Sequence, residues 1–285
     1  MKKFEKILLA SDIDGTYIWK NSPAIPRNAE RVRYFVENGG KFAFSSGRSH
    51  WDFCLVIPEA RELCSMPCVL CNGAYCYDTK TGEIANPHFL DEKYAAEMLR
   101  FISGMCGDDV GWRVSDENGF VIRESDEYIQ NNMKSASEAI YALARKFPDE
   151  EIDGKRYFKA VIISRNAEKL GRIFEAVQEK YPDFSFTRSS DTIAEVLPVG
   201  VSKAVQLKYL KERYEKTLGS VKLFCVGDYD NDIDMLKFAD VGMCPANATE
   251  QVKSICKVRL CHCSEGAVAH AVDIIEDYID GKIVL

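Results

Sequence analysis

Two carboxylates, Asp12 and Asp14, stand two residues apart in SDIDGTYIW (11–19), where a short apolar run ends. Like charges held close repel, and a buried carboxylate is costly unless something offsets it. Asp14-Gly15 alone is an ordinary turn dipeptide, but a turn does not explain Asp12. Three other stretches supply matching groups: Ser46 in FSSGR, Lys203 in GVSKAVQL, and Asp228, Asn231 and Asp232 in GDYDND. In combination they suit phosphoryl transfer. Asp12 is the expected nucleophile: with a reference carboxylate pKa of about 3.9 it is ionised at neutral pH and ready to attack phosphorus. A carboxylate attacking a phosphate dianion is repelled, and a divalent metal removes that obstacle. Asp12, Asp228 and a backbone carbonyl at Asp14 offer hard oxygen ligands suited to Mg2+, with Asp232 supporting them from behind. The Asp14 side chain is then free to act as general acid and base. Lys203 supplies further positive charge, and Ser46 and Asn231 donate hydrogen bonds to phosphate oxygens. Helix-start N–H groups near Gly47 and Asn231 add fixed partial positive charge. Taken singly, each piece has a plainer reading: a capped turn at Asp228–Asp232, an exposed helix lysine, a serine cap. Their order and shared context carry the argument.

These residues need strand ends to present them. KILLAS (6–11) is a continuous apolar run, as in a parallel strand covered on both faces. A helical pattern over 27–38 stops at Gly39-Gly40, KFAFSS (41–46) is a second strand, and a helix begins after it. PCVLCNGAYCYD (67–78) is predicted as strand, Asn-Gly turn, strand. After DTIAEVLPVGVS the alternation resumes: helix 203–216, strand 222–228, helix 231–239, strand 241–244 and helix 266–280. Each candidate group falls at the C-terminal end of such a strand or at the helix start beyond it, where open parallel sheets bind ligands.

The middle of the chain differs. Helix 91–104, a hairpin turning at Asp116–Gly119, helix 134–147, strand 157–164, helix 167–180 and strand 184–189 suggest a separate α+β unit. The expected organisation is an α/β core from residues 1–85 and 190–285, with an α+β domain of 86–189 inserted.

DIDGT, SSGR, SK and GDYDND resemble the four motifs of the haloacid-dehalogenase (HAD) superfamily of phosphohydrolases. VLCNGAYCYD, EVLPVGVSKAVQL and MCPANATEQVK resemble segments of its Cof-type subfamily. The resemblance covers both ends, about two thirds of the chain, and implies a Rossmann-like parallel-sheet core with an inserted class IIB α+β cap. It also implies Mg2+ dependence, an aspartyl-phosphate intermediate, and phosphate contacts from the amides of Ile13 and of Ser46–Gly47. In that family the cap selects the leaving group. Tyr229 and Asp230 depart from the usual fourth motif.

The bulk numbers fit this reading. A net charge of -7 argues against a nucleic-acid or anionic-membrane binder, and no apolar stretch approaches the length of a membrane span. The eleven cysteines are odd in number and scattered, which suggests reduced thiols and a cytoplasmic chain. CVLC (68–71) has a metal-pair spacing, but on a strand its sulfurs point to opposite faces. CHC (261–263) has no fourth ligand nearby. His50 is expected as a plain helix residue, and Trp112 and Phe120 as core of the inserted domain. The expected activity is Mg2+-dependent hydrolysis of a small phosphorylated metabolite such as a sugar phosphate, by a monomer or small homo-oligomer. Transfer to a sugar hydroxyl (a phosphomutase or phosphotransferase) and a non-catalytic sugar-phosphate sensor are the alternatives.

Overall fold

The computed structural model describes residues 2–19 and 25–285. Strand β1 (Ile7–Ser11) is buried along its whole length, as its unbroken apolar run requires. It is followed by α1 (Pro26–Glu37), β2 (Lys41–Phe44), α2 (His50–Val56), α3 (Ala60–Leu63), β3 (Cys68–Leu70), β4 (Tyr75–Tyr77) and β5 (Ile84–Ala85). The last three form a small antiparallel sheet.

A second compact unit follows, Pro87–Val201, while Met1–Asn86 and Ser202–Leu285 together make the first. The second unit comprises α4 (Glu92–Met105), β6 (Val110–Asp116), β7 (Gly119–Arg123), α5 (Glu127–Ala136), α6 (Glu138–Ala142), β8 (Ala144–Phe147), β9 (Lys159–Ser164), α7 (Ala167–Lys180), β10 (Ser185–Ser190) and β11 (Ile193–Leu197). Its six strands run β10-β11-β9-β6-β7-β8. One face packs Trp112 and Ile162 with Met98, Leu99 and Leu170 of α4 and α7. The other packs Phe120, Ile122 and Val161 with Ile129 and Met133 of α5. Trp112 and Phe120 are thus core residues, on opposite faces of one sheet.

Two expectations change here. The segment 134–147 is not one helix. Ser137 is extended, caps α6 by accepting the Ile140 N–H, and Ala144–Phe147 pairs in parallel with β7. The helical propensity of this stretch loses to strand pairing. The second unit also runs past residue 189, because β11 pairs with both β9 and β10.

The chain then returns to the first unit with α8 (Lys203–Leu218), β12 (Lys222–Val226), α9 (Ile233–Phe238), β13 (Val241–Cys244), α10 (Glu250–Ile255), β14 (Val258–Arg259) and α11 (Ala267–Ile279). The main sheet is ordered β14-β13-β12-β1-β2, and every neighbouring pair is parallel. This is a Rossmann-like α/β core with an inserted α+β domain. Helix α11 packs on α1 and buries Val268, Val272 and Ile275 completely. Each such side chain contributes roughly 1.5–3 kcal/mol. With β1 next to the central strand β12, their C-terminal ends meet, and the acidic residues emerge there.

Candidate active site

Beyond β1, the Asp12 N–H donates to the Val226 carbonyl of β12 (2.9 Å), so Asp12 leaves the sheet in register with its neighbour. The next turn winds on the Ile13 carbonyl, which accepts the N–H groups of Thr16, Tyr17 and Ile18. Gly15 adopts φ +87°, and a Cβ there would lie 2.3 Å from Asp228 Oδ2. Glycine lets this turn lie directly on that carboxylate. Thr16 Oγ1 donates to Asp228 Oδ1 (2.8 Å), and Asn247 Nδ2 to the Gly15 carbonyl (2.7 Å).

Lys203 opens α8 and is fully buried. Its ammonium donates to Asp12 Oδ1 (2.7 Å) and Asp232 Oδ1 (2.6 Å). Asp232 Oδ2 accepts the N–H groups of Asp228 (2.9 Å) and Tyr229 (3.3 Å), so both its oxygens are engaged. Asp12, Asp228 and Asp232 each bring an oxygen within 4.8 Å of the others, the one such ligand group among the described residues. Burial pushes the Asp12 carboxyl well above its ordinary range, Lys203 opposing and Asp232 adding to the rise. Burial, then the Asp12 charge, does the same to Asp228. Burial therefore works against the ionised Asp12 that attack on phosphorus needs, and the Lys203 charge works for it. Three buried acids against one ammonium fit a hard divalent cation such as Mg2+. These acids could hold it, and of the three Asp232 is also bonded to Lys203 and to two amides.

Asp14 departs from expectation. Its carboxylate is not free: Arg48 Nε and Nη2 donate to its two oxygens, each at 2.7 Å. Arg48 Nη1 also reaches Asp52 Oδ2 (3.1 Å), and Ser49 Oγ donates to Asp52 Oδ1. Ser46 is buried, and its Oγ accepts the Arg48 N–H (3.2 Å). Its carbonyl accepts the N–H of Asn72. Asn72 Oδ1 accepts Asn231 Nδ2 (3.1 Å) and lies beside Gly47. Asn72 is held by an unusual backbone: Cys71 and Asn72 have φ +50° and +55°, followed by Gly73 at +96°. A Cβ on Gly73 would sit 2.1 Å from the Ser202 carbonyl, next to Lys203. The Cys71–Gly73 turn thus ties the second, third and fourth of the four polar stretches together.

A family description, haloacid dehalogenase-like hydrolase, matches residues 9–272. The chain belongs to this family. It is accordingly an enzyme of the hydrolase class. YkrA of Bacillus subtilis is 25% identical to this HAD hydrolase over 273 residues, covering 93% of this chain and 96% of YkrA. Phosphatase YwpJ of the same organism is 25% identical over 292 residues, covering 92% and 97%. A solved structure described as a HAD subclass IIB sugar phosphatase superposes with a TM-score of 0.78 at 19% identity, covering 94% of this chain and 98% of that one. That likeness is one of fold.

The remaining sequence candidates of this HAD hydrolase resolve as structural groups. His50 opens α2, is buried, bonds the Tyr75 hydroxyl through Nδ1 (2.9 Å) and stacks on Tyr77. Burial lowers its pKa to about 4. Cys68 and Cys71 face different partners, the Cys64 sulfur (3.4 Å) and the Tyr75 hydroxyl (3.7 Å). In CHC the partners also diverge: the Cys261 N–H donates to His270 Nδ1, and the Cys263 N–H to Asn247 Oδ1. No helix among the described residues is long and apolar enough to cross a membrane.

Arg48 and Asn72 were not singled out from the sequence. Arg48 lies inside SSGR and Asn72 inside the Asn-Gly turn. The available signal was a basic residue two positions after Ser46 and an asparagine suited to a left-handed turn.

Proposed function

We propose that this chain is a Mg2+-dependent phosphatase of the Cof type, with a class IIB cap, acting on a small phosphorylated metabolite such as a sugar phosphate. The observation that carries this reading is the Lys203 ammonium bonded to both Asp12 and Asp232, with Asp228 beside them. Asp12 attacks phosphorus, the P–O bond to the leaving group breaks, and Asp14 gives that oxygen a proton. Asp14 then takes a proton from water, whose oxygen attacks the aspartyl-phosphate and releases phosphate and the Asp12 carboxylate. Asp14 must leave Arg48 for either proton transfer. Lys203, Ser46 and Asn231, with the amides of Ile13 and Gly47, hold the phosphate oxygens and spread the charge that develops on them. Asp12, Asp228 and the Asp14 carbonyl would hold Mg2+, which would offset the charge of the acids and polarise the phosphate.

The core is assigned to residues 1–86 and 202–285 and the cap to residues 87–201, following the unit limits above. The fold shared with a subclass IIB sugar phosphatase supports the cap class and the choice of sugar phosphates. The test is turnover of an aryl phosphate and a panel of sugar phosphates with Mg2+ against chelator, for wild type and Asp12→Asn. The reading requires metal-dependent turnover that Asp12→Asn abolishes. Turnover retained by Asp12→Asn would remove Asp12 from the reaction.

A further inference from the structure

The eleven cysteines are free thiols. Burial raises Cys54, Cys64, Cys76, Cys106, Cys225, Cys261 and Cys263, so these are held as inert thiols. Cys244 behaves oppositely. It ends β13, and Arg259, its register partner on the edge strand β14, places Nη1 2.7 Å from its sulfur. Arg259 Nη2 is itself held by the Lys253 carbonyl at the end of α10. Cys256, which caps α10, lies close enough to share a hydrogen bond with the same sulfur. That hydrogen bond first, against burial and with help from Arg259 and Lys253, holds the Cys244 thiol well below its ordinary range, while Cys256 is pushed up. A thiolate with a cation on one side and a protonated thiol on the other is the arrangement of an attacking and a resolving cysteine. Cys244 is buried, but Cys256 is partly exposed and Arg259 exposed, so a small oxidant meets the pair at the sheet edge.

We propose that Cys244 and Cys256 are a peroxide-reactive dithiol, Cys244 attacking and Cys256 resolving, with Arg259 as the positioning residue. The Cys244 thiolate attacks one oxygen of hydrogen peroxide, the O–O bond breaks, and hydroxide leaves as water after taking a proton. The Cys256 sulfur then attacks the Cys244 sulfenic acid. An S–S bond forms and a second water leaves with the Cys256 proton. Two thiols are oxidised by two electrons, and one peroxide is reduced to two waters. The pair brackets Pro245–Ile255, whose Asn247 and Thr249 bond the Gly15 and Asp228 carbonyls.

The experiment treats the reduced full chain with stoichiometric hydrogen peroxide at neutral pH, blocks remaining thiols and maps the peptides by mass spectrometry. A Cys244–Cys256 cross-link is expected first, with the Cys64 and Cys68 thiols intact although their sulfurs lie only 3.4 Å apart. In Cys256→Ser, oxidation should stop at a Cys244 sulfenic acid trapped by dimedone. Arg259→Gln should slow the cross-link by about tenfold, and Arg259→Lys should restore part of the rate. A first cross-link at Cys64–Cys68, oxidation of exposed Cys54 while Cys244 stays a thiol, or an unchanged rate in Arg259→Gln would overturn the proposal.

Discussion

Arg48 grips Asp14 with two parallel hydrogen bonds, 2.7 Å from Nε to Oδ2 and 2.7 Å from Nη2 to Oδ1. Its third nitrogen arm reaches Asp52, whose side chain is almost fully buried. The guanidinium therefore fixes the position of the Asp14 carboxylate, the acid and base of the proposed reaction. Arg48→Met should lower kcat/KM for an aryl phosphate by about 10²-fold, the usual loss when a reacting group is displaced by about 1 Å. Arg48→Lys should recover little, because a point charge cannot reproduce the fork. Steady-state kinetics of the two variants check this, and wild-type rates in Arg48→Met would remove Arg48 from the positioning of Asp14.

Among the described residues, Lys203 is the one cation bonded to both Asp12 and Asp232. Lys203→Met leaves two buried carboxylates without that partner. A loss of roughly 3–5 kcal/mol of unfolding free energy is expected in urea titrations. Added Mg2+ should recover part of it, since it replaces some of the missing positive charge. A Lys203→Met protein as stable as wild type without Mg2+ would contradict the charge balance described for the site.

Gly15 and Gly73 both have positive φ and no room for a side chain. Gly219 has a similar φ, +73°, with open space around the position of its Cβ. The Ala variants therefore separate backbone strain from collision. Gly219→Ala should lose about 1 kcal/mol. Gly73→Ala should lose more, because the Ser202 carbonyl cannot move aside without moving Lys203. Gly15→Ala should weaken Mg2+ binding by 10-fold or more, through displacement of Asp228, as read by calorimetric titration (on the order of other ligand-orienting losses).

Glu276 on α11 accepts from Lys3, Tyr34 and Arg31. The hydrogen bond from Lys3 is the largest cause, with burial opposing, of a pKa lowered to about 2. The unfolded chain takes up this proton near the ordinary glutamate range, about 4.3, before the folded chain does. The stabilisation is therefore fully present above that range and is lost as pH falls through about 2. Urea midpoints between pH 6 and pH 3 should fall less steeply for Glu276→Gln than for wild type. Parallel slopes would mean that these contacts contribute nothing.

Much of the core was legible because β1, β2 and β12 are apolar runs whose ends carry Asp12, Ser46 and Asp228. Strand-end position is a property of local sequence. The pairing of Asp14 with Arg48 was not legible, since it depends on how two loops from different strands meet. Asn72 escaped for a similar reason: a left-handed turn can be suspected from Asn-Gly, but its reach to Asn231 cannot. The segment 134–147 failed differently. Its alanines and charged residues favour a helix locally, and only the neighbouring β7 makes Ala144–Phe147 a strand.

The parallel neighbours of the first strand come from opposite ends of the chain: Leu8 lies beside Lys41 on one side and Leu223 on the other. During translation the first strand therefore waits for more than two hundred further residues, on the order of ten seconds or longer at ribosomal speeds. The strands of the inserted unit, by contrast, all lie between residues 110 and 197 and can pair earlier. The nascent chain can therefore complete the inserted unit's sheet while the side of β1 that β12 will cover is still open.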